Sequence, residues 1–174
     1  MAGRTILETE RLILREFDED DVESFYALGS DPAITRFTGD PGLTSVEHAR
    51  EVLRSRPLAD YHKFGHGRWA CVYKENRSVV GFAGLKFLED LKEVDIGFRL
   101  LPAYWGVGLA TEAGRAVLDY GFTQLRLAEI IGLVDLENVA SVRVLEMLGL
   151  KFFGMTMYEG TNTAKYVVRR SNRQ

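Results

Sequence analysis

The chain has 174 residues, 46% of them hydrophobic and 27% charged, which predicts one globular domain over residues 1–174. A formal net charge of −3 argues against unspecific nucleic-acid binding, and the single cysteine, Cys71, excludes an internal disulfide. No apolar run is long enough to span a bilayer and no signal peptide is recognisable, so we expect a cytoplasmic protein without membrane contact.

The first half of the chain predicts a strand, two helices and a group of strands. Residues 11–17 alternate well enough for a first strand, and the acids at 18–21 start a helix. Thr44-Ser45-Val46-Glu47 has the pattern of a capping box, so a second helix should run to about residue 54. Three further strands are then predicted, over residues 68–74, 78–88 and 93–101.

A glycine-rich turn follows the third strand of this group. Gly106 and Gly108 can adopt backbone angles that other residues avoid, and a strongly helical segment begins directly after them. The start of a helix leaves N–H groups unpaired and carries a partial positive charge, so the turn predicts a socket for phosphate. Taken alone, the same turn is better explained by a strand-to-helix connection that needs glycine only for its shape.

The remaining elements complete a mixed sheet. Residues 129–136 predict a strand, and residues 139–148 predict a helix that ends at Gly149. Two closing strands are expected over 151–158 and 164–169. The order β, α, α, three β, α, β, α, β, β is typical of an α/β domain whose middle strands form a meander.

Three motifs in this order resemble the GCN5-related N-acetyltransferases, and within them the RimJ/RimL-like group. They are an opening strand at residues 7–15, a loop at 104–113 and a helix signature at 138–150. The resemblance implies an α/β (α+β) fold with a mixed, mostly antiparallel sheet of about seven strands and about four helices. It also implies a V-shaped splay between the fourth and fifth strands, at 93–101 and 129–136.

The resemblance implies that acetyl-CoA lies in this splay as co-substrate. Main-chain groups of Phe98, Arg99 and Leu100 would hold the pantetheine arm, and Asn138 would contact the same arm. The pyrophosphate would be bound by the loop Trp105, Gly106, Val107, Gly108, Leu109, Ala110 and Thr111. Trp105 stands where the broad family motif has Arg or Gln, so phosphate binding should depend on backbone N–H groups.

Acetyl transfer needs a neutral amine, a stabilised oxyanion and a proton for the leaving CoA thiolate. Glu93 and Asp95 are the candidates for the base, because alternation along the strand points both to one side. Asp95 stands where similar proteins usually carry Glu, so a bridging water would suit its shorter side chain. The alternative is that both acids decorate a solvated face. The resemblance assigns Ser141 as the acid that faces the CoA sulfur.

Simpler roles exist for the residues at the start of the last helix. Asn138 is a good N-cap residue, and a first-turn hydroxyl such as that of Ser141 often bonds the backbone. His62 and His66 have the spacing of a helical metal pair, but Gly65 weakens that helix and no third ligand stands out. We therefore expect no metal site.

The resemblance implies direct attack by a primary amine in a ternary complex, with a protein N-terminus as the acceptor. Residues 32–67 should build the acceptor wall, and they contain aromatic and acidic side chains that suit a cationic amine. Polyamines, amino acids, drugs or amino sugars stay open as acceptors, as does a CoA-binding sensor without catalysis. A third alternative is a nicotinamide-dependent enzyme, for which the glycine turn is the only support in the sequence. Dimers are common in similar proteins, which leaves a homodimer open.

Overall fold

A single mixed sheet organises the protein, whose computed structural model describes residues 2–173. The strands are β1 (Thr5–Glu8), β2 (Leu12–Arg15), β3 (Arg68–Tyr73), β4 (Val79–Leu88), β5 (Glu93–Leu100), β6 (Glu129–Val134), β7 (Lys151–Tyr158) and β8 (Thr161–Arg169). Their order in the sheet is β1-β2-β3-β4-β5-β6-β8-β7, and the β5–β6 neighbours are parallel whereas the others are antiparallel. The predicted fold class is confirmed.

Helices cover both faces of this sheet. They are α1 (Val22–Ser30), α2 (Pro32–Thr35), α3 (Val46–Leu53), α4 (Ala59–Phe64), α5 (Leu109–Thr123) and α6 (Val139–Met147). On one face, Val117 and Leu118 of α5 pack with Trp69 and Leu85 in the larger core, and all four side chains are fully buried. On the other face α1 and α3 bury Phe25 and Leu53 in a second core. Across residues 2–173, no helix combines the length and the apolar character needed to cross a membrane.

The start of the chain forms a hairpin where the sequence predicted one opening strand. β1 and β2 pair antiparallel, and the Thr9 N–H donates to the Leu12 carbonyl at 2.8 Å to close the turn. The Thr9 hydroxyl also donates to Glu112 on α5, so a residue remote in sequence holds the turn. The hairpin adds a strand, which makes eight rather than the predicted seven.

The second helix also begins one residue later than the capping box indicated. Ser45, with an extended backbone, is the N-cap, and its hydroxyl accepts the His48 N–H at 3.0 Å. The helix then continues through a wider π-helical turn at residues 54–58, which contains Pro57, into α4. The wider turn accommodates a proline that has no N–H to donate.

The predicted splay lies between β5 and β6. In the described part of the chain, Asp95 and Ile131 form the one register pair that joins these strands, whereas β4 and β5 pair over eight positions. Past Asp95 the two strands diverge toward their carboxyl ends, which lead to α5 and α6. This gap between β5 and β6 (the V) therefore opens beside the N-termini of α5 and α6.

Candidate active site at the splayed strands

The loop from β5 to α5 presents a row of backbone N–H groups at the mouth of the V. Gly106 and Gly108 have φ of +73° and +83°, a left-handed conformation that favours glycine. Within residues 2–173, no acceptor pairs with the backbone N–H groups of residues 106–111. The positive end of the α5 dipole lies at the same place. Such a row of donors binds a pyrophosphate or a similar anion.

Trp105 fastens this loop to the end of β5. Its indole Nε1 donates to the Leu100 carbonyl at 2.8 Å, while the side chain stays half exposed. The one polar atom of the side chain is therefore used inside the protein. The Trp105 indole is therefore not a free donor, and the unpaired donors of this loop are its backbone N–H groups.

A network that the sequence analysis missed fixes the other side of the loop. Glu112 accepts the Thr9 hydroxyl at 2.6 Å, the Arg11 backbone N–H at 2.8 Å and Arg11 Nε at 2.7 Å. Arg11 Nη1 donates in turn to the Val107 carbonyl at 2.9 Å. Burial acts to raise the pKa of Glu112, but the hydrogen bonds from Thr9 and Arg11 outweigh it and leave that pKa lowered. Its only sequence signal was an acid in the first helical turn.

We expect the loss of this network to lower the stability of the protein at neutral pH and to weaken the dependence of that stability on pH. The folded-state pKa of Glu112 lies below its ordinary 4.5, so its contribution is complete above that value and is lost as the pH falls through the folded pKa. Glu112→Gln should therefore lower the free energy of unfolding by about 1 kcal/mol at neutral pH and less in acid. Thermal denaturation between about pH 3 and pH 7 measures this.

The control for this prediction is Glu51→Gln on α3. Glu51 is exposed and forms no side-chain hydrogen bond or ion pair with any residue that the structure describes. Its substitution should leave the melting temperature close to that of the wild type across the range. Equal acid dependence in Glu112→Gln and the wild type would contradict the role given to Glu112.

The start of α6 places two polar side chains on the other side of the V. Asn138 is the N-cap, and its Oδ1 accepts the Ser141 N–H at 3.3 Å. The Asn138 amide nitrogen and the half-buried Ser141 hydroxyl make no hydrogen bond to any of residues 2–173. Asn138 therefore acts as a cap, whereas the backbone bond considered for the Ser141 hydroxyl is not formed. Both groups therefore keep donors that no acceptor in residues 2–173 uses.

Asp95 lies at the apex of the V and is buried, at 7% exposure. Its Oδ2 pairs with Arg68 Nη2 at 2.6 Å, and its Oδ1 accepts the Leu133 N–H of β6 at 2.9 Å. Burial raises the pKa of Asp95, although Arg68 and the Leu133 N–H act in the opposite direction. The alternative of a carboxylate on a solvated face does not apply to this residue. Asp95 joins β3, β5 and β6 where the splay begins.

Glu93 lies two residues before Asp95, on the closed side of the apex. Its Oε1 pairs with Lys165 Nζ at 2.5 Å, and its Oε2 is buried without a hydrogen-bond donor in the described residues. The side chain borders a cavity of about 410 Å³ whose lining includes Phe64, Phe87 and Ile131. The structure therefore separates the two candidate bases along β5, with Asp95 nearer the opening.

Comparisons with known proteins agree on one family. Residues 11–151 match the family model described as an acetyltransferase (GNAT) domain. The Uncharacterized N-acetyltransferase YoaA of Bacillus subtilis (strain 168) is 32% identical over 151 residues, which cover 86% of this chain and 85% of that protein. Spermidine N(1)-acetyltransferase of Escherichia coli (strain K12) is 27% identical over 154 residues, covering 84% and 76%. An acetyltransferase structure from Agrobacterium tumefaciens str. C58 has a TM-score of 0.84 at 25% identity, covering 98% of this chain and 96% of its own.

Proposed function

This chain belongs to the GNAT acetyltransferase family, and on that premise we propose that it moves the acetyl group of acetyl-CoA to a primary amine by direct attack in a ternary complex. Acetyl-CoA supplies the thioester carbonyl that the amine attacks. The observation that carries the proposal is the row of unpaired N–H groups over residues 106–111, beside the splayed strands. These donors fit a pyrophosphate, and the V beside them fits an extended arm.

The residues that hold the cofactor follow from this placement. In the loop from Trp105 to Thr111, the backbone N–H groups of residues 106–111 bind the pyrophosphate, because the Trp105 N–H already donates to the Pro102 carbonyl. Main-chain groups of residues 98–100 bind the pantetheine arm, because β5 has no register pair on β6 past Asp95 among the described residues. Asn138 adds its amide nitrogen from the start of α6. The cofactor thus lies between two helix N-termini.

Proton transfer is assigned to Asp95 and Ser141. Asp95 takes the proton of the attacking amine, directly or through a water, and its raised pKa makes it a stronger base. Each of its oxygens keeps a second lone pair after the bonds from Arg68 and Leu133. Ser141 gives a proton to the departing thiolate. Glu93 is the second candidate base, about 7 Å further along the strand from the opening.

For the acceptor we propose a protein N-terminus. An α-amino group has a pKa of about 8, so it needs less help from the base than a lysine side chain near 10.4. This agrees with the RimJ/RimL-like motifs. The second candidate is a small-molecule amine, which the similarity to a spermidine acetyltransferase favours. A cytoplasmic location and a homodimer stay predictions.

Calorimetric titration with acetyl-CoA tests the proposal first, followed by detection of released CoA with a panel of amines. We expect one site per chain with a dissociation constant in roughly the micromolar range. Gly108→Ala should weaken binding about tenfold, because its Cβ stands on a backbone with φ of +83°. Binding without turnover of any amine would indicate a sensor. No binding, or binding of NADH instead, would overturn the proposal.

A further inference from the structure

Three cationic side chains lie along one face of β3, β4 and β5, next to the apex of the V. The register pairs Phe82 with Arg99, Gly84 with Gly97 and Lys86 with Asp95. Val94 and Ile96 pack in the core under α5. Because side chains alternate along a strand, Asp95, Gly97 and Arg99 face the opposite side of the sheet, together with their partners on β4. Arg68 of β3 joins Lys86 and Arg99 there. The face lies across the sheet from the starts of α5 and α6.

Arg68 occupies the centre of this face and is fixed in place. A Cβ at Gly97 would clash with the guanidinium of Arg68, so the absence of a side chain there lets the cation lie on the backbone. Arg68 Nη1 donates to the carbonyls of Gly84 and Asp95, both at 2.8 Å. Its Nη2 pairs with the Asp95 carboxylate. Arg68 is therefore largely neutralised and rigid.

Arg99 and Lys86 lack such a partner. In the described chain no carboxylate lies within ion-pair distance of either cation. Arg99 stacks on the Phe82 ring at 5.1 Å and makes one long contact, 3.5 Å, to the Leu28 carbonyl. Lys86 forms no hydrogen bond with residues 2–173. Both side chains are half-buried, and burial lowers the pKa of each. A bound anion would offset this cost.

The acids around this face do not neutralise the two cations. Asp95 uses one oxygen for Arg68 and the other for the Leu133 N–H. Asp40 acts on Arg99 at longer range, and its Oδ1 accepts the Gly42 N–H at 2.9 Å. Asp60 and Glu159 influence Lys86 from beyond ion-pair distance. Lys86 and Arg99 therefore keep their donors for a ligand.

We propose that the acceptor carries a carboxylate or phosphate group close to its primary amine, and that Arg99 binds this anion. Lys86 lies four register positions from Arg99, beyond Arg68, and adds attraction at longer range. The inference rests on the proposed acetyl transfer. With the cofactor held on the side of α5 and α6, the amine reaches the V from the opposite face, where these cations lie. The planar guanidinium of Arg99 forms bidentate contacts with the anion. A polyamine would bring positive charge against the unpaired cations Arg99 and Lys86 and is a poor substrate.

Matched acceptor pairs test this inference through kcat/KM. One arm compares alanine with alaninamide, and the other compares an Ala-Glu peptide amide with Ala-Gln, so that a free carboxylate and an acidic protein N-terminus are distinguished. Spermidine is the cationic probe. We expect the acid of at least one pair to be preferred roughly ten- to a hundredfold, and spermidine to be the poorest acceptor.

Variants locate the origin of this preference. Arg99→Gln should lower kcat/KM for the acid far more than for its amide, and Arg99→Lys should keep part of the preference. Lys86→Gln should shift the same ratio by a smaller factor, because Lys86 acts from further away. Arg4→Gln is the matched control, because Arg4 lies at the β1 edge in an exposed pair with Glu16. An equal turnover of acids and amides by the wild type, or an unchanged ratio in Arg99→Gln, overturns the inference.

Binding measurements separate failure of this inference from failure of the proposed function. N-acetylalanine and its amide, and the matching acetylated peptides, are titrated into the CoA-loaded protein. Loss of acetyl-CoA binding itself would overturn the proposed function. If acetyl-CoA binds but the acetylated acids bind no better than their amides, and turnover shows no acid preference, only the inference fails. Circular dichroism confirms that each variant is folded.

Discussion

Replacement of Asp95 by asparagine is expected to lower the free energy of unfolding by about 3 kcal/mol and to lower kcat/KM by roughly a hundredfold or more. The stability loss arises because Arg68, whose side chain is 17% exposed, would lose its charge partner in a buried setting. Asparagine can still accept the Leu133 N–H through its amide oxygen. The kinetic loss arises because an amide cannot take the amine proton.

Denaturant unfolding and pH profiles separate these two contributions. Burial raises the pKa of Asp95 above its ordinary 3.8, so the acid limb of kcat/KM in the wild type should lie above that pH. Asp95→Asn should remove this limb. If the variant loses activity but keeps the limb, Asp95 positions the strands and another group is the base.

Glu93→Gln is the matched control on the same strand. Glu93 pairs with Lys165, and this ion pair is only partly buried. We therefore expect Glu93→Gln to lose less stability than Asp95→Asn, about 1–2 kcal/mol. The acid limb should stay in place in this variant. A limb that disappears in Glu93→Gln and persists in Asp95→Asn would make Glu93 the base instead.

Ser141→Ala is expected to lower kcat roughly a hundredfold while acetyl-CoA binding changes by less than about threefold. The hydroxyl has no hydrogen-bond partner in the described chain, so its removal leaves no buried group unsatisfied and costs little stability. The Asn138 cap that opens α6 uses the Ser141 backbone N–H, which alanine retains. The loss should therefore appear in turnover rather than in folding.

The pH dependence of this defect identifies its cause. A thiol has a pKa of about 8.5, so above that pH the thiolate leaves without needing a proton. The difference between Ser141→Ala and the wild type should shrink as the pH rises past that value. Ser141→Thr keeps a hydroxyl and should recover most of the turnover. Equal kcat in Ser141→Ala and the wild type would remove Ser141 from the mechanism.

Local patterns were sufficient for much of the fold. The glycine turn at 106–108, the helix after it and the Asn138 cap each depend on neighbours within a few residues. The predicted splay between the strands at 93–101 and 129–136 is also present. The prediction was wrong where two neighbouring residues can serve the same role: Ser45 caps α3 in place of the predicted Thr44.

The early hairpin shows why local patterns failed at the first strand. The turn between β1 and β2 is held by Glu112, which lies 103 residues beyond Thr9. Arg11, inside the predicted strand, forms its ion pair with the same carboxylate. A partner so remote in sequence leaves no periodic signal near Thr9.

Sequence patterns were enough to predict the fold class, the order of the main elements and the loop whose glycines expose backbone N–H groups. The partners of the charged side chains, in contrast, depend on contacts between residues far apart in the chain. Asp95 meets Arg68 from 27 residues away and the Leu133 N–H from 38, so its burial depends on strand register. Lys86 and Arg99 share a face for the same reason. Alternation gives the side of a strand to which a residue points, but its partners and its access to water depend on the strands and helices packed beside it.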